Sequence, residues 1–201
     1  MRKEFVQAIK SNQAAFDLKL SDESIERLAD YYDLVMDHNA LLHLVAPCSA
    51  EEFAVRHILE SLTLLEYLPT GVKFADVGTG AGLPSIPCML FREDLKALLI
   101  ESKEKKSTFL HIAVETLGLT KRARIIARQF QEVDPADCDF VTCRALDKFT
   151  EKLPRLLKWS QKRKILLFGG KNLKEALDAQ KLTFTQILLP LSEQRFLFAT
   201  P

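Results

Sequence analysis

The chain has 201 residues, 28 Lys and Arg against 27 Asp and Glu, a formal net charge of +1, and 47% hydrophobic residues. That is the composition of an ordinary globular domain with room for a modest extension, which excludes a disordered or fibrous chain. No apolar run approaches the ~20 residues needed to span a bilayer, and MRKEFVQAIK lacks the apolar segment of a secretory signal, so a cytoplasmic protein is expected.

Four cysteines, Cys48, Cys88, Cys138 and Cys143, form no C-x-x-C pair. They read as small apolar residues of a reduced protein, with no metal site. Charge is unevenly spread. Residues 1–70 hold 6 basic and 12 acidic residues, a net of −6, which leaves +7 for the rest; within 143–174 there are ten basic residues and two acidic ones. Such a stretch is either a solvated helical face or a surface for a polyanion.

In chain order, a first helix is expected over 2–16. A second, over 22–38, follows from Ile25, Leu28, Ala29, Tyr32, Val35 and Met36 at helical spacing, with Asp22 and Glu23 behind Ser21 in its first turn. HNALLHLVAP is a connector. Ser49-Ala50-Glu51-Glu52 reads as a capping box opening a helix over 50–67. From Val72 the pattern changes to short apolar runs alternating with helical stretches. Strands are expected at 72–77, 96–100, 124–127, 139–143, 164–168, 183–189 and 195–199, and helices at 84–91, 103–117, 148–159 and 171–179. The 103–117 helix is expected to start after Ser102 and stop at Gly118. This alternation implies right-handed βαβ units and a mostly parallel sheet with helices on both faces. The last two strands are separated by too few residues for a crossover and should form an antiparallel hairpin. Residues 1–70 then form an N-terminal helical extension and 71–201 the main domain.

The stretch FADVGTGAGLPSIP, from Phe74 to Pro87, holds Gly78, Gly80 and Gly82 at a strand end, with Pro84 where a helix begins. Glycines there admit a ligand close to the backbone, and a following helix start would offer N–H groups to it. Ligands of open parallel sheets lie beyond the carboxyl ends of the strands. The second strand ends in Glu101, whose carboxylate suits both hydroxyls of a ribose. Arg128-Gln129-Phe130 follows the third strand and suits an adenine edge. Arg144 ends the fourth and points into the same crevice. The G-x-G-x-G spacing is not the G-x-G-x-x-G of dinucleotide folds. An adenosyl ligand without phosphates, S-adenosylmethionine, fits better.

Longer motifs narrow the reading. Arg56-His57-Ile58-Leu59-Glu60-Ser61, Asp76-Val77-Gly78-Thr79-Gly80-Ala81-Gly82-Leu83-Pro84 with Ile86-Pro87, Glu101-Ser102 through Lys105-Lys106, then Arg128 and Arg144-Ala145 recur in one family. The chain resembles, essentially end to end, the bacterial small-subunit ribosomal RNA guanine-N7 methyltransferases, also called the glucose-inhibited division protein B family. The resemblance implies an α/β, Rossmann-like S-adenosylmethionine-dependent methyltransferase fold with a seven-stranded, mostly parallel sheet. It implies S-adenosylmethionine as cofactor, in contact with Gly78, Leu83, the Gln129–Phe130 backbone and Arg144; Gly80 and Glu101 join them from the reading of the glycine turn and strand ends. The partner implied is 16S ribosomal RNA or the small ribosomal subunit. Arg56, His57, Lys105, Lys106 and Arg128, near the crevice, are the candidate RNA-binding residues, and a monomer is expected. Lys121, Arg122 and Arg124 are expected near the crevice as well.

Methylation of guanine N7 removes no proton, so no acid–base residue is expected, and Arg144 would position guanine or cofactor. His43-Leu44-Val45, Gln129-Phe130 and Phe168-Gly169-Gly170 depart from the family pattern. A small-molecule methyltransferase and a non-catalytic adenosyl- or RNA-binding protein are the alternatives. For His57 a helix-anchoring hydrogen bond is the competing role, and for Arg144 a structural salt bridge. Trp159 and the Phe-rich 184–198 region read as core.

Overall fold

The computed structural model describes residues 1–135, 137–146, 148–161 and 163–201. Strands β1 (Lys73–Val77), β2 (Lys96–Ile100), β3 (Ala123–Ile126), β4 (Phe140–Arg144), β5 (Lys164–Gly169), β6 (Thr185–Leu188) and β7 (Phe196–Ala199) form one sheet in the order β3-β2-β1-β4-β5-β7-β6. The first five run parallel; β7 pairs antiparallel with both β5 and β6. The expected terminal hairpin is present, but its second strand lies inside and its first on the edge. The chain leaves β1 towards β2 and β3 on one side and returns to β4 on the other. Val77 is thereby paired with Ile100 on one flank and with Cys143 on the other. That reversal opens a crevice beyond the strand ends.

Two-residue periodicity sorts the sheet into two cores. Phe74, Ala97, Leu99, Leu166 and Phe168 face one way; Ala75, Val77, Leu98, Ile100, Ile165 and Leu167 face the other. The first face is covered by α1 (Arg2–Asn12), α2 (Asp22–Leu42), the helical run α3 (50–67), α4 (Ser85–Phe91) and α5 (Glu104–Thr116). The second is covered by α6 (Phe149–Ser160) and α7 (Lys171–Ala179). The N-terminal helices therefore share one core with the sheet. Phe5 stacks on Tyr32 at 4.6 Å, Tyr32 meets Phe53 edge-on at 5.1 Å, and the buried Tyr31 hydroxyl donates to Ala81 O at 3.0 Å.

Helix starts follow their caps unevenly. Ser21 Oγ accepts from Ser24 N and Ser49 Oγ from Glu52 N, as their positions predict. Glu52 does not complete the box; its carboxylate pairs with Arg56 one turn on. Ser102 does not cap α5, whose first turn follows Lys103 with no side-chain cap. Run α3 spans the expected 50–67 without a break but changes geometry, from Ala50–Glu52 as α, through Phe53–Leu59 as π, to Glu60–Leu62 as α and Thr63–Tyr67 as 3-10. All four cysteines are free thiols, three of them buried. Among the described residues no helix is long and apolar enough to cross a membrane.

Candidate active site

The turn after β1 is held from beneath by Asp76. Its carboxylate is fully buried, and Oδ2 accepts from Thr79 Oγ1 at 2.7 Å and Ser85 Oγ at 2.6 Å. Burial outweighs these bonds and pushes the carboxyl up to about 7. Gly78, Gly80 and Gly82 take φ of 68°, 59° and 94°, a region that L side chains rarely adopt. A Cβ on Gly78 would stand 2.5 Å from the tip of Leu146 in the crevice, and one on Gly82 would stand 2.3 Å from Ile86 Cδ1 in α4. The first glycine keeps the crevice open, whereas the last lets α4 pack.

Most N–H groups of this turn are not offered to a ligand as the motif alone implies. Gly78 and Thr79 donate to Ile100 O, Gly82 and Leu83 to Thr79 O, and Gly80 to Glu101 Oε2 at 3.0 Å. The turn therefore binds itself to the end of β2 and holds out no cradle for phosphates.

Glu101, 6% exposed, is pinned at both oxygens, Oε2 by Gly80 N–H and Oε1 by Lys103 N–H at 2.8 Å. Each carboxylate oxygen still has a lone pair to offer. Glu101 floors a crevice of about 620 Å³, with Gly78–Ala81 and Leu83 beside it and Ser102, Lys103, Lys106 and Gln129 along one side. Phe130 does not join them. Its ring is buried edge-on against Trp159 at 5.5 Å, in the core behind β3 and β4. Phe130 lies outside the crevice lining, and its carbonyl accepts Val133 N–H at 3.1 Å.

The opposite wall was not anticipated. Leu44, Val45 and Ala46 line it, from the stretch read as a plain connector. His43 ends α2 at φ 47°, and Asn39 Oδ1 then takes Val45 N–H at 2.9 Å, which fixes the segment over the crevice. The departure at His43-Leu44-Val45 from a family motif was the one signal that these residues sit at a site. Leu146 and Lys152 complete the wall.

Arg144 lines the crevice but is bonded across it to α3. Nη1 donates to Ser61 Oγ at 3.2 Å, and Nη2 donates to Arg56 O and to Glu60 Oε2 at 3.3 Å; its Cζ lies 5.6 Å from the Phe168 ring centroid. Glu60, 1% exposed, also accepts Arg195 Nε at 2.7 Å. His57 makes no helix-anchoring bond; among the described residues its buried Nδ1 has no partner, and the ring lies 5.0 Å from that of Phe53. Burial, then Arg144, Arg56 and Arg195, hold the imidazole down to about 3. It is neutral at physiological pH and carries no charge for a phosphate.

The other basic residues divide. Arg56 and Lys106 line the crevice; burial draws the Lys106 amine down, with Glu101 pulling the other way. Lys105 and Arg128 are exposed outside its lining. Lys121, Arg122 and Arg124 belong to the entry into β3, away from the strand ends, and Arg122 is structural, donating to Met89 O and Arg92 O at 3.0 and 3.1 Å. Within 143–174, Lys148, Lys171 and Lys174 pair with acidic residues along their own helices, Arg155 and Lys158 are exposed, and Lys162 lies outside the described residues.

A sheet of this order, a self-bonded glycine turn and an acidic residue closing the second strand define the Rossmann-like fold of S-adenosylmethionine-dependent methyltransferases. The crevice fits that cofactor in size and donor set, and its Gly78 position leaves the room a side chain would fill. Solved structures agree on the fold. A SAM-dependent methyltransferase from Aquifex aeolicus superposes with a TM-score of 0.57 at 18% identity, covering 73% of this chain and 91% of that one. Magnesium protoporphyrin IX methyltransferase from Synechocystis PCC 6803 gives a TM-score of 0.60 at 14% identity, covering 90% and 97%.

The family model GidB, rRNA small subunit methyltransferase G, matches residues 24–193, and the chain belongs to that family. Ribosomal RNA small subunit methyltransferase G of Pelotomaculum thermopropionicum is 37% identical over 124 residues, 61% of this chain and 52% of that protein. The enzyme of the same name from Neisseria meningitidis serogroup C is 33% identical over 143 residues, 71% and 69% of the two. The chain thus spans about half the length of the first relative and just over two thirds of the second.

Proposed function

We propose that this protein transfers a methyl group from S-adenosylmethionine to guanine N7 in 16S ribosomal RNA, acting as a monomer in the cytoplasm. The observation that carries the reading is Glu101, pinned under a glycine turn in which Gly78, Thr79, Gly80, Gly82 and Leu83 all spend their N–H groups within the protein. That arrangement takes a ribose and has no use for a pyrophosphate. The family membership supplies the ribosomal substrate.

S-adenosylmethionine supplies, when bound, an electrophilic methyl group on a sulfonium. Glu101 would accept the ribose hydroxyls, the Gln129–Phe130 backbone the adenine edge, and Gly78, Gly80 and Leu83 would border the rest. Guanine N7 already has an exposed lone pair, so no side chain need take a proton, and neutral His57 is suited to packing more than to proton transfer. The chain contributes alignment, which is worth up to several kcal/mol of barrier. Arg144, fixed by three acceptors on α3, is a rigid post between the crevice and the neighbouring cavity. Lys105, Lys106, Arg128 and Arg56 would meet RNA phosphates, with Arg155 and Lys158 extending the basic surface.

The test is incubation with labelled S-adenosylmethionine and naked ribosomal RNA, intact small subunits or a metabolite panel. Label in guanine N7 of either RNA form is expected. Label only in a metabolite would make this a small-molecule methyltransferase, and cofactor binding without transfer a non-catalytic relative. Gly78→Val should abolish cofactor binding in calorimetry, because its side chain enters the crevice against Leu146. Unchanged affinity would show that the turn has been misread.

A further inference from the structure

A second cavity, of about 440 Å³, lies beyond Arg144 and shares Arg56, Arg144, Ala145 and Leu146 with the first. Both are in the size range of small-ligand sites. Its own walls include Thr150, Phe168, Gly170 and Arg195. Arg195 comes from the start of β7, and no motif in the chain singles it out.

Two arginines meet in this cavity on one buried carboxylate, and they are used differently. Arg144 has spent donors on Ser61, Arg56 O and Glu60. Arg195 is fastened at Nε alone, to Glu60 Oε1 at 2.7 Å, and its side chain is 35% exposed. Among the described residues its two Nη groups make no hydrogen bond. A guanidinium held at its inner nitrogen is a fixed fork with its outer donors turned to whatever enters. Such a fork offers N–H groups only. It therefore rewards a carbonyl and rejects an amino group in the same place.

We propose that this cavity takes the target base and that Arg195 donates to its 6-oxo group, so that Arg195 selects guanine over adenine. The inference rests on the methyltransferase reading above. Guanine carries O6 beside N7 on one edge, and adenine carries an amino group where guanine has O6. A fork on O6 thus holds the reactive edge without competing for N7. Glu60 is a positioning residue here: it offsets part of the local positive charge and sets the Arg195 rotamer.

The test uses the full chain loaded with S-adenosylhomocysteine and titrated with guanosine, inosine and adenosine in saturation-transfer NMR. Guanosine and inosine, which share the 6-oxo group, should bind within a few-fold of each other. Adenosine should bind roughly tenfold or more weakly, as loss of a good base contact implies. Arg195→Gln should weaken guanosine and inosine by about the same factor and erase the preference, with cofactor affinity unchanged. Since Arg195→Gln leaves Glu60 short of a partner and can unfold the chain, Thr150→Trp serves as the second variant. It fills the cavity from its exposed wall without touching the ion cluster, and should block guanosine while sparing the cofactor. Equal binding of adenosine, no guanosine binding, retained selectivity in Arg195→Gln, or cofactor loss in both variants would each overturn the proposal. Selective guanosine binding with no transfer to any RNA would instead leave it standing and remove the methyltransferase reading.

Discussion

His57 and Asp76 are both buried beside the crevice, and their titrations pull stability in opposite directions. His57 is held down to about 3 by burial and three arginines, against a usual value near 6.5. Between those values the unfolded chain takes up a proton that the native ring refuses. Its contribution is therefore complete above about pH 6.5 and is lost as pH falls toward 3. Asp76 is pushed up to about 7 by burial, so the native state holds the extra proton, and its contribution falls as pH rises from about 4 to 7. Comparing the wild type with His57→Gln isolates the first effect. Relative to that variant, the wild type should lose on the order of 1–2 kcal/mol between pH 6.5 and pH 5, at up to about 1.4 kcal/mol per pH unit. Urea midpoints at the two pH values measure it, and a constant difference would mean that the ring is not held neutral.

Run α3 shows where local pattern suffices and where it fails. Ser49 announces its start, and its hydroxyl takes Glu52 N–H at 3.0 Å. Ser49→Ala should cost about 1 kcal/mol in a thermal or denaturant melt; a loss below a few tenths would mean that the first turn is held by packing alone. The capping box at Ser49 predicts the run over 50–67 but not its π segment, because a cap fixes only the first turn. The strands were legible for a similar local reason, each being a short apolar run, but the strand order whose reversal makes the crevice was not legible. Which hairpin strand lies inside was not, since pairing of β6 with β7 says nothing about which of them meets β5. The same division runs through the site. Gly78 and Glu101 follow from rules about strand ends. The spending of the turn's N–H groups on Ile100 O, the burial of Phe130 and the role of Arg122 depend on partners far along the chain. Arg195 is the extreme case, 135 residues from the Glu60 that orients it.

At the scale of the whole molecule, charge and packing divide the chain differently. Charge separates an acidic first third from a basic remainder, and α1 and α2 carry much of that acid. Arg2 alone answers Glu26, Asp30 and Asp33, an exposed network worth little in stability. Packing makes no such separation. Phe5, Ile9, Leu28, Tyr31, Tyr32 and Val35 are buried in the same cluster as Phe74, Leu99 and Phe168 of the sheet. Their rings close on Phe53, and the next turns of α3 supply Arg56 O, Glu60 and Ser61 to Arg144. Removing α1 and α2 would bare one side of α3 and unseat the acceptors that hold Arg144, while Ala81 O would lose the Tyr31 hydroxyl. Large buried apolar side chains contribute about 1.5–3 kcal/mol each when fully buried, so losing these six is comparable with the whole net stability of about 5–15 kcal/mol usual for a domain. A fragment of residues 43–201 should therefore show no cooperative melt and no calorimetric binding of S-adenosylmethionine, where the full chain shows both. A fragment that melts cooperatively and binds with the full chain's affinity would mean that the sheet and its crevice stand without the helices before them.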